Sequence, residues 1–277
     1  MIKDSGLIPP KKELINLDFS YAKTFGAVRE LPQEDFMVAE SIEIKDQMDS
    51  DMCTAFAATA VSEDQEGVKL APEWFFAKVK QVIGDYTGYG ADPRSACDAA
   101  VRFGFLESSY TEHSLTTDSR DSLANWSNWD FGFDIRAIKH RKKSYFKIDG
   151  GGDLFDSIRG FLWENKDRKQ SVFTGTYWQP EWTFVKDGIA SKDSANEPVN
   201  AHAFKVAGQK IIEGVPHLVI INSYGYGIGD QGRFYFPREV VNRFLFAYAF
   251  MDLPSEAGKL NWNLLQKVKY FIKKLLK

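Results

Sequence analysis

Residues 52–62 form an unbroken run of small and apolar side chains around Phe56 and Val61, with no Gly or Pro. That pattern, apolar on every side, suits a helix running through the interior of a lobe. Ser50 or Asp51 is placed to cap its start, which puts Cys53 in the first turn, where a helix N-terminus favours an anionic sulfur. A second helix is expected to open at Pro72 and end near Gly84, with Pro in its first turn. A third covers 93–103 and ends at Gly104, and a fourth covers 153–163 behind the glycines at 150–152.

The second half of the chain changes period. Residues 171–178 are rich in β-branched and aromatic residues, and 202–212 with 217–222 reads as a hairpin turned by Glu213, Gly214, Val215 and Pro216. Residues 232–236 supply a further strand. Helices first and strands later predict an α+β protein with a helical lobe and a sheet lobe.

With 277 residues, 44% hydrophobic and 14% aromatic, the chain is long enough for two lobes that share a buried interface. A net charge of −3 gives no global field for nucleic acid or for an anionic membrane. Cys53 and Cys97 are the two cysteines in the sequence. If Cys53 is a nucleophile the chain has no structural disulfide, which points to a reducing, cytoplasmic setting. No apolar run near the start is long enough for a signal peptide or a membrane span.

Cys53 also carries the chemistry. His202 follows it by 149 residues and Asn222 follows His202 by 20, an order and scale that suit a thiol, an acid/base and an orienting amide drawn from distant segments. Gln47 lies six residues ahead of Cys53, and Asn222-Ser223-Tyr224 runs into a stretch with glycines at 225, 227, 229 and 232. These positions and their local sequences resemble the papain-like cysteine peptidases over residues 40–240. The resemblance implies a two-lobe fold, a helical lobe of about 45–125 against an antiparallel sheet or barrel lobe of about 126–255, with the cleft between them. The N-terminal segment belongs to this 1–255 domain.

It further implies that Cys53 is the nucleophile, that His202 shuttles the proton, that Asn222 orients His202, and that Gln47 donates to the oxyanion. Gly90 would pair with substrate main chain, with Ala91 beside it in the substrate site, while Asp92, Pro93 and Ala203 would line the specificity pocket, an acidic Asp92 favouring a basic side chain. Tyr224 stands where the family has Trp, shielding the bond between Asn222 and His202 and bordering the substrate site. No cofactor or metal is implied. The reaction is hydrolysis of a peptide bond in a peptide or protein substrate, with isopeptide cleavage and acyl transfer open to the same logic. About 45 residues precede Gln47. This is too few for the inhibitory prodomain of many relatives, so restraint is expected from compartment, partner or specificity.

Two departures favour the competing class, a catalytically weak or inactive papain-fold binding protein within a larger assembly. Asp49 and Asp51 should oppose a thiolate at Cys53 by like-charge repulsion, and Thr54 and Tyr224 replace the usual aromatics. Elsewhere the plain readings win. Cys97 reads as core, His113, His140 and His217 lack metal-ligand spacing, and the glycines after Asn222 read as turns rather than a phosphate loop. The basic run 139–143 reads as a solvated face, with no nucleic acid expected. Residues 256–277 read as a basic amphipathic helix, with Leu264, Leu265, Val268, Phe271, Ile272 and Leu275 on one face. Such a helix docks to a membrane surface or a protein partner, or packs on its own lobe.

Overall fold

The computed structural model describes residues 6–10, 20, 31–149, 153–191 and 200–252. The amphipathic segment 256–277 lies outside them. Among the described residues are seven helices and seven strands.

The apolar run folds as helix α1, Cys53–Glu66, and its burial follows its composition: almost every residue through Asp64 is enclosed. The two acids at its far end are enclosed with cations. Lys45 Nζ lies 2.9 Å from Glu63 and Lys205 Nζ 2.8 Å from Asp64. The cap differs from the expectation: the N-cap is Met52, with no side-chain bond to the first turn. Ser50 Oγ donates instead to the Gln47 carbonyl at 2.6 Å, and the Asp51 carboxylate accepts from Arg120 Nη1 at 2.6 Å. Helices α2 (Pro72–Ile83) and α3 (Pro93–Arg102) each begin with proline and stack against α1. Short helices α4 (Arg120–Ala124) and α5 (Phe131–Ala137) follow, then α6 (Leu154–Glu164), capped by Asp153, and α7 (Arg238–Val241).

Strands β2 (Lys142–Lys147), β3 (Val172–Trp178), β4 (Asn200–Ile212), β5 (Val215–Ile221), β6 (Arg233–Phe236) and β7 (Phe246–Asp252) form an antiparallel sheet in the order β2-β7-β3-β4-β5-β6. The two-residue β1 (Phe36–Met37) pairs with β4. The sheet is open, so the barrel form of the expectation is not the one adopted. The β4–β5 hairpin turns on Glu213 and Gly214 alone, both at positive φ, as a two-residue turn requires. Val215 and Pro216, expected in the turn, are already in the strand.

One apolar core lies between the helices and the sheet, around Trp74, Phe75, Phe105, Phe173 and Phe250. A second gathers Phe155, Phe161, Trp178, Phe204, Phe234 and Phe236. The basic run is not simply a solvated face. Lys142 is 1% exposed, with Nζ 2.7 Å from Glu66 and 2.6 Å from Asp252, and His140 is buried between Glu66 and Glu107. Burying a cation requires such partners, and here they arrive from segments remote in sequence.

Candidate active site

Cys53 is the first residue of α1 and is fully buried. Its sulfur accepts a hydrogen bond from the Ala203 N–H on β4 at 3.4 Å, which ties the helix start to the sheet. Burial pushes the thiol up from 9.0 to about 12; bonds from Ala203 and Thr54 oppose the rise, and Asp51 adds to it. That rise disfavours the thiolate by about 4 kcal/mol. A helix N-terminus returns about 0.3–2 kcal/mol, so desolvation wins and the resting sulfur is a neutral thiol. The acids that the sequence set against the thiolate are placed differently from each other. Asp49 is exposed, and Asp51 is buried and neutralised by Arg120.

His202 lies on β4 and Asn222 immediately follows β5. His202 Nε2 donates to Asn222 Oδ1 at 2.6 Å, and the Ser223 N–H donates to the same oxygen at 2.7 Å. An amide nitrogen accepts neither bond, so Asn222 is fixed with its oxygen toward the ring and His202 carries its proton on Nε2. Nδ1 is left as the acceptor, with the Tyr224 hydroxyl 3.1 Å away. Tyr224 stacks on the imidazole with ring centres 4.5 Å apart, and Trp178 meets the ring edge-on at 5.2 Å. These aromatics exclude water from the Asn222–His202 bond. Full burial pulls His202 down from 6.5 to about 4, the Asn222 bond opposing it, so the resting ring is neutral.

Gln47 is buried and held at both ends of its amide. Its Oε1 accepts from Ser223 Oγ at 2.6 Å, and its Nε2 donates to the Ser50 carbonyl at 2.8 Å, leaving one N–H uncommitted. The Gln47 N–H donates to the Ser223 carbonyl at 2.8 Å and the Gly225 N–H to the Lys45 carbonyl at 2.9 Å, so the loops carrying Gln47 and Asn222 are stapled together. The Cys53 N–H precedes the first intrahelical donors, Ala55 and Phe56, and has no acceptor within the helix.

The residues expected to hold substrate cluster beside this centre. The Ala91 N–H donates to the Gly6 carbonyl at 2.8 Å, and the Ala91 carbonyl accepts from the Ile8 N–H at 3.0 Å and from Thr54 Oγ1 at 2.9 Å. Gly90 precedes it, and a side chain there would lie 2.7 Å from the Gly6 carbonyl. Asp92 caps α3, accepting from the Ser95 N–H at 2.9 Å, and Pro93 is the first residue of that helix. Ala203 pairs with Gly175 on β3. Sequence reasoning placed Gly175 and Trp178 in a strand without a role at the site, and passed over Phe246. A glycine inside a strand signals close approach, and Gly175 was such a signal. A Cβ there would sit 2.6 Å from the His202 carbonyl, 2.8 Å from Leu7 Cδ2 and 2.9 Å from the Phe246 ring.

No family model and no curated protein matches the sequence. Solved structures do resemble it. Xylellain, a cysteine protease from Xylella fastidiosa, superposes with a TM-score of 0.76 over 92% of this chain and 98% of its own, at 16% identity. Procathepsin L2 from Tenebrio molitor larval midgut gives 0.67 over 90% of this chain and 78% of its own, at 15% identity. Bromelain from Ananas comosus, in complex with the E64 inhibitor, gives 0.58 over 80% and 100%, at 13% identity. The chain therefore has the papain-like cysteine protease fold. Among the described residues no helix is long and apolar enough to cross a membrane.

Proposed function

We propose that this protein is a cysteine endopeptidase in which Cys53 attacks the scissile carbonyl, His202 moves the proton and Asn222 holds His202. The observation that carries this reading is the arrangement around His202 in a papain-like fold. Its Nε2–H is locked to Asn222, its Nδ1 is the unprotonated ring nitrogen with the Tyr224 hydroxyl 3.1 Å away, and the backbone N–H of the next residue touches the Cys53 sulfur.

In this mechanism Nδ1 takes the thiol proton as sulfur bonds to the carbonyl carbon, so charge develops on the oxyanion and on the imidazolium together. The spare N–H of Gln47 and the N–H of Cys53 receive the oxyanion, an effect worth about 3 kcal/mol per donor. The imidazolium then protonates the leaving amine, and the acyl-sulfur bond is cut by a water that His202 deprotonates. Cys53 and Cys97 are not joined in a disulfide, which suits a reducing compartment. Residues 256–277 would serve as a docking element for a membrane surface or partner, which their deletion would abolish without harming peptidase activity.

One observation favours the non-catalytic reading: thiol and imidazole are both neutral and buried at rest. Labelling by a peptidyl epoxide, read by intact mass, separates the two. One adduct, absent from Cys53→Ala and dependent on His202, supports the peptidase. No adduct on folded protein whose Cys53 does react with iodoacetamide contradicts it.

A further inference from the structure

Two charged residues at the start of α4 meet both the segment that leads into the nucleophile and the loop that leads into Gly90. Arg120 Nη1 donates to the Asp51 carboxylate at 2.6 Å, two residues ahead of Cys53. The same guanidinium lies 5.3 Å from the centre of the Tyr89 ring. Its stem packs as closely: a Cβ added to Gly88 would fall 2.7 Å from Arg120 Cβ, so the approach of this loop needs glycine there. Asp121 completes the contact, its Oδ1 accepting from the Gly88 N–H at 2.8 Å. On α2, the buried Lys80 donates to the Asp85 carboxylate at 2.6 Å and to the Tyr89 and Gly90 carbonyls at 2.7 and 2.9 Å. The loop 85–90 is thus anchored by Lys80, and Arg120 ties it to the segment that ends at Cys53.

We propose that Arg120 is a positioning residue of the site: its charge cancels that of Asp51 beside the nucleophile, and its side chain clasps the nucleophile segment to the loop expected to hold substrate. The inference rests on the peptidase reading for the use of that loop, and on the Asp51 and Tyr89 contacts for its geometry. The Asp51 side chain is 8% exposed and that of Arg120 37%, so the carboxylate has little water to screen it and the guanidinium supplies what water would. Without that cation a buried negative charge would stand two residues from the sulfur, strengthening the opposition to a thiolate that Asp51 already offers. A planar guanidinium suits both contacts at once, since its edge donates to a carboxylate while its face lies against an aromatic ring; an ammonium keeps only the charge. The acid that stood against catalysis in the sequence is therefore the point at which α4 grips the nucleophile segment.

The test is the ratio of Cys53 alkylation rates with iodoacetate and with iodoacetamide, measured on the full-length chain at pH 7.5. Both reagents meet the same sulfur, so changes of access cancel and the ratio reads the charge around it. Arg120→Gln should lower the ratio about threefold, Asp51→Asn should raise it by a similar factor, and Arg120→Lys should stay near the parent. Cys97, buried on α3, should stay unreactive as the mark of an intact fold. The clasp is read separately by hydrogen exchange. The Ser50 amide, bonded to the Gln47 carbonyl at 3.1 Å, should exchange about tenfold faster in Arg120→Gln than in the parent. An unchanged ratio in both charge variants, or unchanged Ser50 exchange in Arg120→Gln, overturns the positioning role; where Cys53 resists both reagents, the Ser50 exchange alone decides. Shifted readouts without peptide turnover keep the role of Arg120 and remove the peptidase reading, and turnover by the parent with both readouts unchanged does the reverse.

Discussion

The two halves of the site are built to different standards of readiness. On the sheet side, His202, Asn222, Ser223, Tyr224 and Trp178 hold one another through hydrogen bonds and ring contacts that do not involve the N-terminal segment. On the helix side, the Cys53 sulfur is held by the Ala203 N–H and by Thr54, and is buried in the core cluster that Leu7 shares. The His202 half is held by its own contacts, whereas the state of the Cys53 sulfur depends on what buries it. Burial is the first cause of the raised thiol and of the depressed imidazole alike. Opening the cleft relieves both shifts together and brings the two groups toward proton exchange.

The comparison breaks most sharply at His202. His202→Gln should lower kcat/KM for a peptide by roughly 10³-fold, the usual worth of a positioned general base. A loss under tenfold would mean that the thiol works without it. Gln47→Ala should lower kcat by about 10²-fold with KM little changed, because the donor acts on charge that develops in the transition state. An equal loss in binding would show Gln47 to be a scaffold residue tying Ser50 to Ser223.

Acid stability sharpens the same contrast. His202 is depressed from 6.5 to about 4 in the fold, so the unfolded chain takes up its proton first as pH falls. Its contribution is complete above pH 6.5 and is lost as pH drops toward 4, about 2 kcal/mol of it by pH 5. Urea unfolding of the parent and His202→Gln should therefore show a stability difference that shrinks by about that amount between pH 7 and pH 5. A constant difference would show the ring to be hydrated. The smallest effect is reserved for Tyr224→Phe, which keeps the stack and removes a hydroxyl that the Asn222 bond does not need. Its kcat/KM should stay within about threefold of the parent.

Much of this was legible in the chain because the signals were local. The glycine-free run at 52–62, the prolines opening α2 and α3, and the β-rich 171–178 each declared its element through its own residues. Cys53, His202, Asn222 and Gln47 could be singled out by order and local sequence. What stayed hidden was made by contacts between distant segments. Lys142 looked solvated because Glu66 and Asp252, which enclose it, lie far away in sequence. Asp51 looked like a cap or a free charge because nothing nearby announced Arg120. Residues 6–8 have no period to read, and their meaning comes from the Ala91 backbone they meet. Trp178 was assigned to a strand, but its place against His202 depends on the register of β3 with β4, which pairs Thr176 with His202.

The most direct test of the account is hydrolysis of a fluorogenic peptide, assayed with this chain and the same chain carrying Cys53→Ala. The account predicts turnover by the first and none by the second. Absence of turnover above the Cys53→Ala background, in a folded protein whose Cys53 is open to iodoacetamide, would contradict it.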